Sequence, residues 1–339
     1  MLLGVLICVS SSNLFILWFG LELNMFGVIP FIVLNSNPNN QNKDLNVGIY
    51  YFIIQVIGSI LFSWGSVVGS SSILGLSGLL IKMGVVPFFW WVPSVLSRVD
   101  WGSFLLLSTL QKIPSVLLIR ISFDLSFNVC LFICLVGLVV SVIGINFSSG
   151  NFKLLLAWSS VGNMSLVVIL ATLYFNLGSL YFTCYAISVL GFILCISSPN
   201  SGDINNNENN GGVNSLINIS FFLLIFSGLP PLLGFITKVV LFSGLSICES
   251  DMMIKQISVI DNNNYMVDYP IYNVIGSWSL SIVISFILIL QIIAYIKVFI
   301  SVYTSISINL QGSSRSTNSN YLEAMLVVGL LSTLPLVLL

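Results

Sequence analysis

Lys82-Met83-Gly84-Val85-Val86-Pro87-Phe88-Phe89-Trp90-Trp91-Val92-Pro93 places one cation, one glycine and two prolines inside an apolar run. Proline lacks a backbone N–H, and its ring clashes with the carbonyl four residues back. A helix entering this stretch is therefore broken near Pro87. A second stretch uses the same elements: Gly228-Leu229-Pro230-Pro231-Leu232-Leu233-Gly234-Phe235-Ile236-Thr237-Lys238. Here the break at Pro230 and Pro231 precedes the lysine. Freed backbone at membrane depth is tolerated only where protein or water lines it. Two such stretches point to two discontinuous helices inside a membrane protein.

The rest of the chain agrees. Of 339 residues 57% are hydrophobic, and 10 Lys+Arg with 11 Asp+Glu make up only 6%. Soluble domains carry about 25% charged residues, and a soluble globule of this length cannot cover itself with so few. Composition excludes a soluble enzyme, a disordered tail and a nucleic-acid binder, and leaves an all-α polytopic membrane protein. There is no histidine, which removes the usual ligand of membrane haem, copper and most catalytic zinc. None of the cysteines forms a CxxC pair. Cys130 and Cys134 share a helix face, but two thiolates do not hold an iron–sulfur cluster. No P-loop or GxGxxG fingerprint is present. The expectation is a chain with no redox centre, metal or nucleotide of its own.

Apolar runs long enough to span, about 20 residues each, predict eleven helices: 2–10, 13–34, 48–68, 72–95, 101–121, 127–147, 153–173, 175–197, 215–246, 274–304 and 322–339. Polar connections fall at 35–46, 198–214, 249–270 and 305–320. The interrupted fourth and ninth helices lie five apart, an odd offset that reverses topology. Interrupted helices at matching places in two halves mark an inverted repeat. Residues 1–122 and 123–304 are thus expected to form two inverted five-helix repeats, and 305–339 a loop with a C-terminal transmembrane helix. Lys43, Arg98, Lys153 and Arg315 fall on one side, against Lys255 and Arg120 on the other. The positive-inside rule puts the N-terminus inside and the C-terminus outside.

Four ionisable residues lie within spans: Glu22, Lys82, Lys112 and Lys238. Each costs about 2.5–3.5 kcal/mol near the bilayer centre. Lys153 and Lys297 sit where a long side chain can snorkel; the four do not. A lysine withdrawn from water exchanges between charged and neutral forms, and a nearby carboxylate favours the charged one. A Glu/Lys pair beside further lysines is therefore a switchable proton path. Asn24, Gln55, Ser108 and Gln111 are suited to support water along it.

Five motifs stand in one order: Trp18-Phe19-Gly20-Leu21-Glu22-Leu23-Asn24, the Lys82–Pro93 stretch, Gln111-Lys112, Lys153-Leu154-Leu155-Leu156-Ala157-Trp158-Ser159-Ser160, and the Gly228–Lys238 stretch. Together they resemble the subunit-2 branch of the antiporter-like membrane-arm subunits of respiratory complex I. The resemblance is strongest over 18–238 and thin over 249–273 and the C-terminal helix. It implies a proton-translocating subunit of NADH:ubiquinone oxidoreductase in the mitochondrial inner membrane. The N-terminus would face the matrix and the C-terminus the intermembrane space. Partners would be other membrane-arm subunits, phospholipids and protons, with no nucleic acid. NADH, FMN, iron–sulfur clusters and ubiquinone would be handled in other subunits.

It further implies a relay through Glu22, Lys82, Lys112 and Lys238. Members often carry histidine where this chain has Phe89 and Asn163, so the Lys112–Lys238 gap would be bridged by water and hydroxyls such as Ser159 and Ser160. Two other readings stand beside this one. One is a subunit of a multi-subunit sodium/proton antiporter. The other is a structural membrane spacer whose charges are relics.

Overall fold

The computed structural model describes residues 1–11, 13–34, 41–68, 73–122, 127–148, 151–197, 211–230, 232–262 and 272–312. Every element among them is an α-helix: α1 Leu2–Ser10, α2 Leu14–Leu34, α3 Gln41–Val68, α4 Ile73–Met83, α5 Trp91–Leu96, α6 Trp101–Ser108 and α7 Ile113–Ser122. There follow α8 Phe127–Phe147, α9 Phe152–Leu173, α10 Phe175–Ser197, α11 Gly211–Ser227, α12 Leu233–Asn262 and α13 Tyr272–Gly312. Six helices among the described residues are long and apolar enough to cross a membrane, and three shorter ones are also apolar. The chain is an all-helical membrane protein. Position 231 and the expected C-terminal helix at 322–339 lie outside the described residues.

Both expected interruptions are present, between α4 and α5 and between α11 and α12. A third corrects the expectation of one continuous helix over 101–121: α6 stops at Ser108 and α7 starts at Ile113. Pro114 is the local part of the reason. It has no N–H to offer the Leu110 carbonyl, and its ring crowds that oxygen. All four expected connections are also partly helical; α11, for one, already begins at Gly211. Helix α3 begins at Gln41, and α12 runs on to Asn262. Apolarity reports bilayer thickness, whereas Gln, Lys and Glu carry a helix onward without being apolar. Helix α13 likewise extends to Gly312.

Helix α9 is the centre of the bundle. It is buried along nearly its whole length and packs against α5, α7, α8, α10 and α12. It therefore touches the helix that follows each of the three breaks. Helices α3 and α4 make one of the closest pairs. A Cβ on Gly78 would stand 2.5 Å from the Gly58 carbonyl oxygen and 2.6 Å from the Phe62 nitrogen. Small residues let helix backbones approach in this way within membranes. Gly58 faces the Lys82 stem, with 3.2 Å between its would-be Cβ and Lys82 Cγ. Gly78→Ala is accordingly expected to part α3 from α4 and cost about 1–3 kcal/mol, the range of overpacking. A lower melting temperature of the purified protein checks this; an unchanged one contradicts the close packing.

Candidate functional site

Three breaks, each with a lysine, make up the site. At the first, α4 ends in a Schellman motif. Gly84 takes φ +69°, the left-handed conformation that glycine adopts without strain. Its N–H donates to the Leu80 and Ile81 carbonyls at 3.0 and 3.1 Å, and the Val85 N–H donates to Leu80 at 3.1 Å. The Trp91 indole N–H adds a bond to the Ile81 carbonyl at 2.9 Å. Lys82 occupies the last turn of α4, where unsatisfied carbonyls favour a cation. Its Nζ lies 3.8 Å from Glu22 Oε1, with the side chains 3% and 13% exposed. That separation makes an ion pair but exceeds a direct hydrogen bond.

At the break between α6 and α7, Thr109 has φ −119° and ψ −77°. The Gln111 N–H reaches back five residues to the Leu106 carbonyl at 3.0 Å, and the Lys112 N–H three residues to Thr109 at 3.0 Å. Asn24 Nδ2 lies against the Leu110 and Gln111 carbonyls at 3.4 and 3.5 Å, so it covers the Leu110 oxygen that Pro114 leaves without a helical donor. Lys112 is 1% exposed, and its Nζ has no hydrogen-bond partner. Helix α2 thus serves two breaks, through Glu22 at Lys82 and through Asn24 beside Lys112.

At the third break Gly228 again takes a left-handed φ, +72°, one residue past the end of α11. Lys238 on α12 reaches back across the gap, and its ammonium donates to the Ser227 carbonyl. This is a terminal carbonyl of α11, which has no intrahelical donor. A Cβ on Gly228 would stand 2.5 Å from both Cε and Nζ of Lys238. Glycine is required there for the backbone conformation and for the lysine's seat. Lys82 in the last turn of α4 and Lys238 on the Ser227 carbonyl of α11 thus both lie at the C-terminal end of a half-helix.

Of the four expected relay residues, the fold pairs Glu22 with Lys82 and leaves Lys112 and Lys238 apart. Among the described residues no hydrogen bond or ion pair joins Lys112 to Lys82 or to Lys238. Ser108, Ser159 and Ser160 are fully buried. Each donates to a carbonyl of its own helix, at 3.2, 2.8 and 2.8 Å, which leaves its oxygen lone pairs free to accept. Phe89 packs on the Trp158 ring, centroids 5.9 Å apart, and Asn163 Oδ1 accepts from the Tyr181 hydroxyl at 2.9 Å. Lys153 is an anchor: its ammonium donates to the Val99 carbonyl at 2.8 Å and lies 5.2 Å over the Trp101 ring.

Buried polar side-chain atoms without a hydrogen-bond partner gather along this same line. They include atoms of Glu22, Asn24, Gln55, Lys82, Gln111 and Lys112 in the first half, and the Tyr185 and Tyr295 hydroxyls beyond. Few such atoms are expected in a folded protein, and each asks for a reason. The tyrosines escape a reading by composition because their rings count as apolar. Their signal is the four-residue spacing of Tyr181 with Tyr185, and of Gln291 with Tyr295. Among the described residues no group of three or more Cys, Asp or Glu side chains is placed to hold a metal ion.

An all-helical membrane bundle with helices broken beside buried lysines defines the class of antiporter-like membrane subunits. Residues 63–261 match the family described as NADH:quinone oxidoreductase/Mrp antiporter, transmembrane. NADH-ubiquinone oxidoreductase chain 2 of Artemia franciscana is 32% identical over 69% of this chain and 74% of its own length. Its counterpart from Anopheles gambiae is 28% identical over 76% and 78%. A chain of respiratory complex I from Thermus thermophilus shares the fold with a TM-score of 0.62, at 16% identity over 86% of this chain and 67% of that one. A chain of the Mrp complex from Dietzia shares it at 0.66, with 14% identity over 87% and 58%. The chain belongs to the NADH:quinone oxidoreductase/Mrp antiporter family of membrane subunits.

Proposed function

We propose that this chain is a proton-translocating membrane-arm subunit of an NADH:ubiquinone oxidoreductase, working through Glu22, Lys82, Lys112 and Lys238. It lies in the mitochondrial inner membrane, N-terminus on the matrix side and C-terminus on the intermembrane-space side. Electrons pass from NADH to ubiquinone in partner subunits, which hold FMN, the iron–sulfur clusters and the quinone. Residues 1–122 and 123–304 act as two inverted repeats, each with one glycine-and-proline break. Neighbouring membrane-arm subunits and phospholipids cover the apolar faces.

The observation that carries the reading is the placing of the lysines. Two stand at carbonyl poles that stabilise a cation, and Lys112 between them stands without a partner. Glu22 holds a proton's charge on Lys82. When that attraction weakens, the charge moves to Lys112 and onward to Lys238, whose seat on the Ser227 carbonyl is the last position before exit. Moving one charge across 100 mV costs about 2.3 kcal/mol, so an ion-pair rearrangement in a poorly solvated site is of sufficient size.

The fold shared with the Mrp chain favours a second reading, a sodium/proton antiporter subunit. The names of the closer relatives by sequence favour the first. Native-gel separation of solubilised membranes, with proton uptake measured in sealed vesicles, decides between them. The chain is expected to co-migrate with NADH dehydrogenase activity, and uptake to follow NADH and ignore sodium. Sodium-driven proton movement without NADH overturns this assignment.

A further inference from the structure

The geometry points to three tyrosine hydroxyls, Tyr181, Tyr185 and Tyr295, seated with Asn163 and Gln291, as the groups that carry protons between Lys112 and Lys238. This inference rests on the relay reading and fills its widest gap. The chain has no histidine to stand there.

Helix spacing builds the track. Ser159 and Asn163 on α9, Tyr181 and Tyr185 on α10, and Gln291 and Tyr295 on α13 are pairs four apart, so each pair shares one helix face. Helix α10 packs on α9, and Gln291 Nε2 lies 3.7 Å from where a Cβ of Gly162 on α9 would stand. The α9 and α10 faces meet, and Gln291 on α13, a helix that packs on α8, α11 and α12, reaches them from the side. Tyr185 lies within electrostatic reach of Ser160 and Tyr295, and Tyr295 of Ser159 and Gln291, without a hydrogen bond to any of them. Tyr181 bonds Asn163 at 2.9 Å and lies within electrostatic reach of Thr237, the residue before Lys238. The Tyr295 ring stacks on Phe226 at 6.4 Å and 20°. Phe226 precedes Ser227, whose carbonyl holds Lys238. At the other end α9 packs on α7, which begins beside Lys112.

Energetics separates this track from ordinary packing. The three tyrosines are 1–3% exposed, and the Tyr185 and Tyr295 hydroxyls have no hydrogen-bond partner. Phenylalanine would fill the same space without burying an unpaired hydroxyl. A phenol both donates and accepts, and several polar groups around one space hold bridging water. Each transfer balances. An O–H bond forms at the tyrosine lone pair as its original O–H bond breaks on the far side, and the phenol ends neutral with its hydrogen reoriented.

The test is Tyr185→Phe/Tyr295→Phe in the assembled complex, in sealed inner-membrane vesicles, with Lys112→Met alongside. Proton uptake and coupled NADH oxidation are expected to fall about tenfold in the double variant, the scale of one lost hydrogen-bonded link. The complex should remain on a native gel, and the solvent deuterium isotope effect on turnover should rise as proton transfer becomes limiting. Wild-type uptake in the double variant, with Lys112→Met defective, overturns the track and leaves the relay. Wild-type uptake in both overturns the relay reading. Lowered turnover with an unchanged isotope effect assigns the tyrosines to structure and overturns the track. If the double variant does not assemble, the two single variants decide by the same readouts.

Discussion

Lys112→Met is expected to lower proton uptake and coupled NADH oxidation by about a hundredfold, the lower end of what a positioned proton-transfer group contributes. The complex should assemble normally. Methionine resembles lysine in length and flexibility, and it removes a buried charge that costs about 2.5–3.5 kcal/mol in a bilayer. Nothing in the fold is lost with the ammonium, because Lys112 Nζ makes no hydrogen bond. A variant at least as stable as the parent and far less active separates function from structure. Lys112→Arg supplies the complementary result. Guanidinium does not release its proton, so the variant keeps the positive charge and is still expected to be inactive. Activity in Lys112→Arg would mean that charge alone, without proton exchange, is what the position supplies.

Glu22→Gln is the second large effect. It leaves Lys82, one residue from the end of α4, with no carboxylate to hold its charge, in a site where the lysine is 3% exposed. Removing one partner of a buried pair costs about 3–5 kcal/mol when the other stays charged; the 13% exposure of Glu22 puts this case at the lower end. Lys82 escapes part of the cost by giving up its proton, and that is the step the relay depends on. The expected result is a loss of coupled turnover of about tenfold or more. Glu22→Gln/Lys82→Met should be more stable than Glu22→Gln alone, because no charge is left unpaired. Melting of the purified complex measures this. Equal stability of the single and double variants would show that the two side chains do not interact.

The two outer breaks are legible in the chain because glycine and proline occur together there. Gly84 supplies the left-handed residue that closes α4 and Pro87 stops its continuation; Gly228 and Pro230 do the same after α11. The middle break has no glycine. Its one mark is Pro114, two residues past Lys112, inside an apolar run. Proline alone does not decide: Pro30 lies within α2 without ending it. What differs at Lys112 is tertiary, since Asn24 on another helix comes against the Leu110 and Gln111 carbonyls. A partner 86 residues away in the chain leaves no local trace.

The same limit governs the site. Glu22, Lys82, Lys112 and Lys238 stand out because charge is scarce and each is flanked by apolar residues. The Glu22–Lys82 pairing follows from their chemistry, but the carbonyl seat of Lys238 does not, because it lies across a break whose shape only the fold supplies. Tyrosines 181, 185 and 295 are absent from a reading by charge, since a phenol is neutral and its ring belongs in a membrane helix. Only the fold, which lays α10 on α9 and brings Gln291 of α13 near Gly162, places them where they could form one polar line.

The central claim is that the four buried charges move protons. The most direct measurement neutralises all four, as Glu22→Gln/Lys82→Met/Lys112→Met/Lys238→Met, and follows proton uptake with NADH oxidation in sealed vesicles holding the assembled complex. The account expects both to collapse while the complex persists on a native gel. Wild-type pumping and turnover would contradict it, and would leave the chain a structural spacer in the membrane.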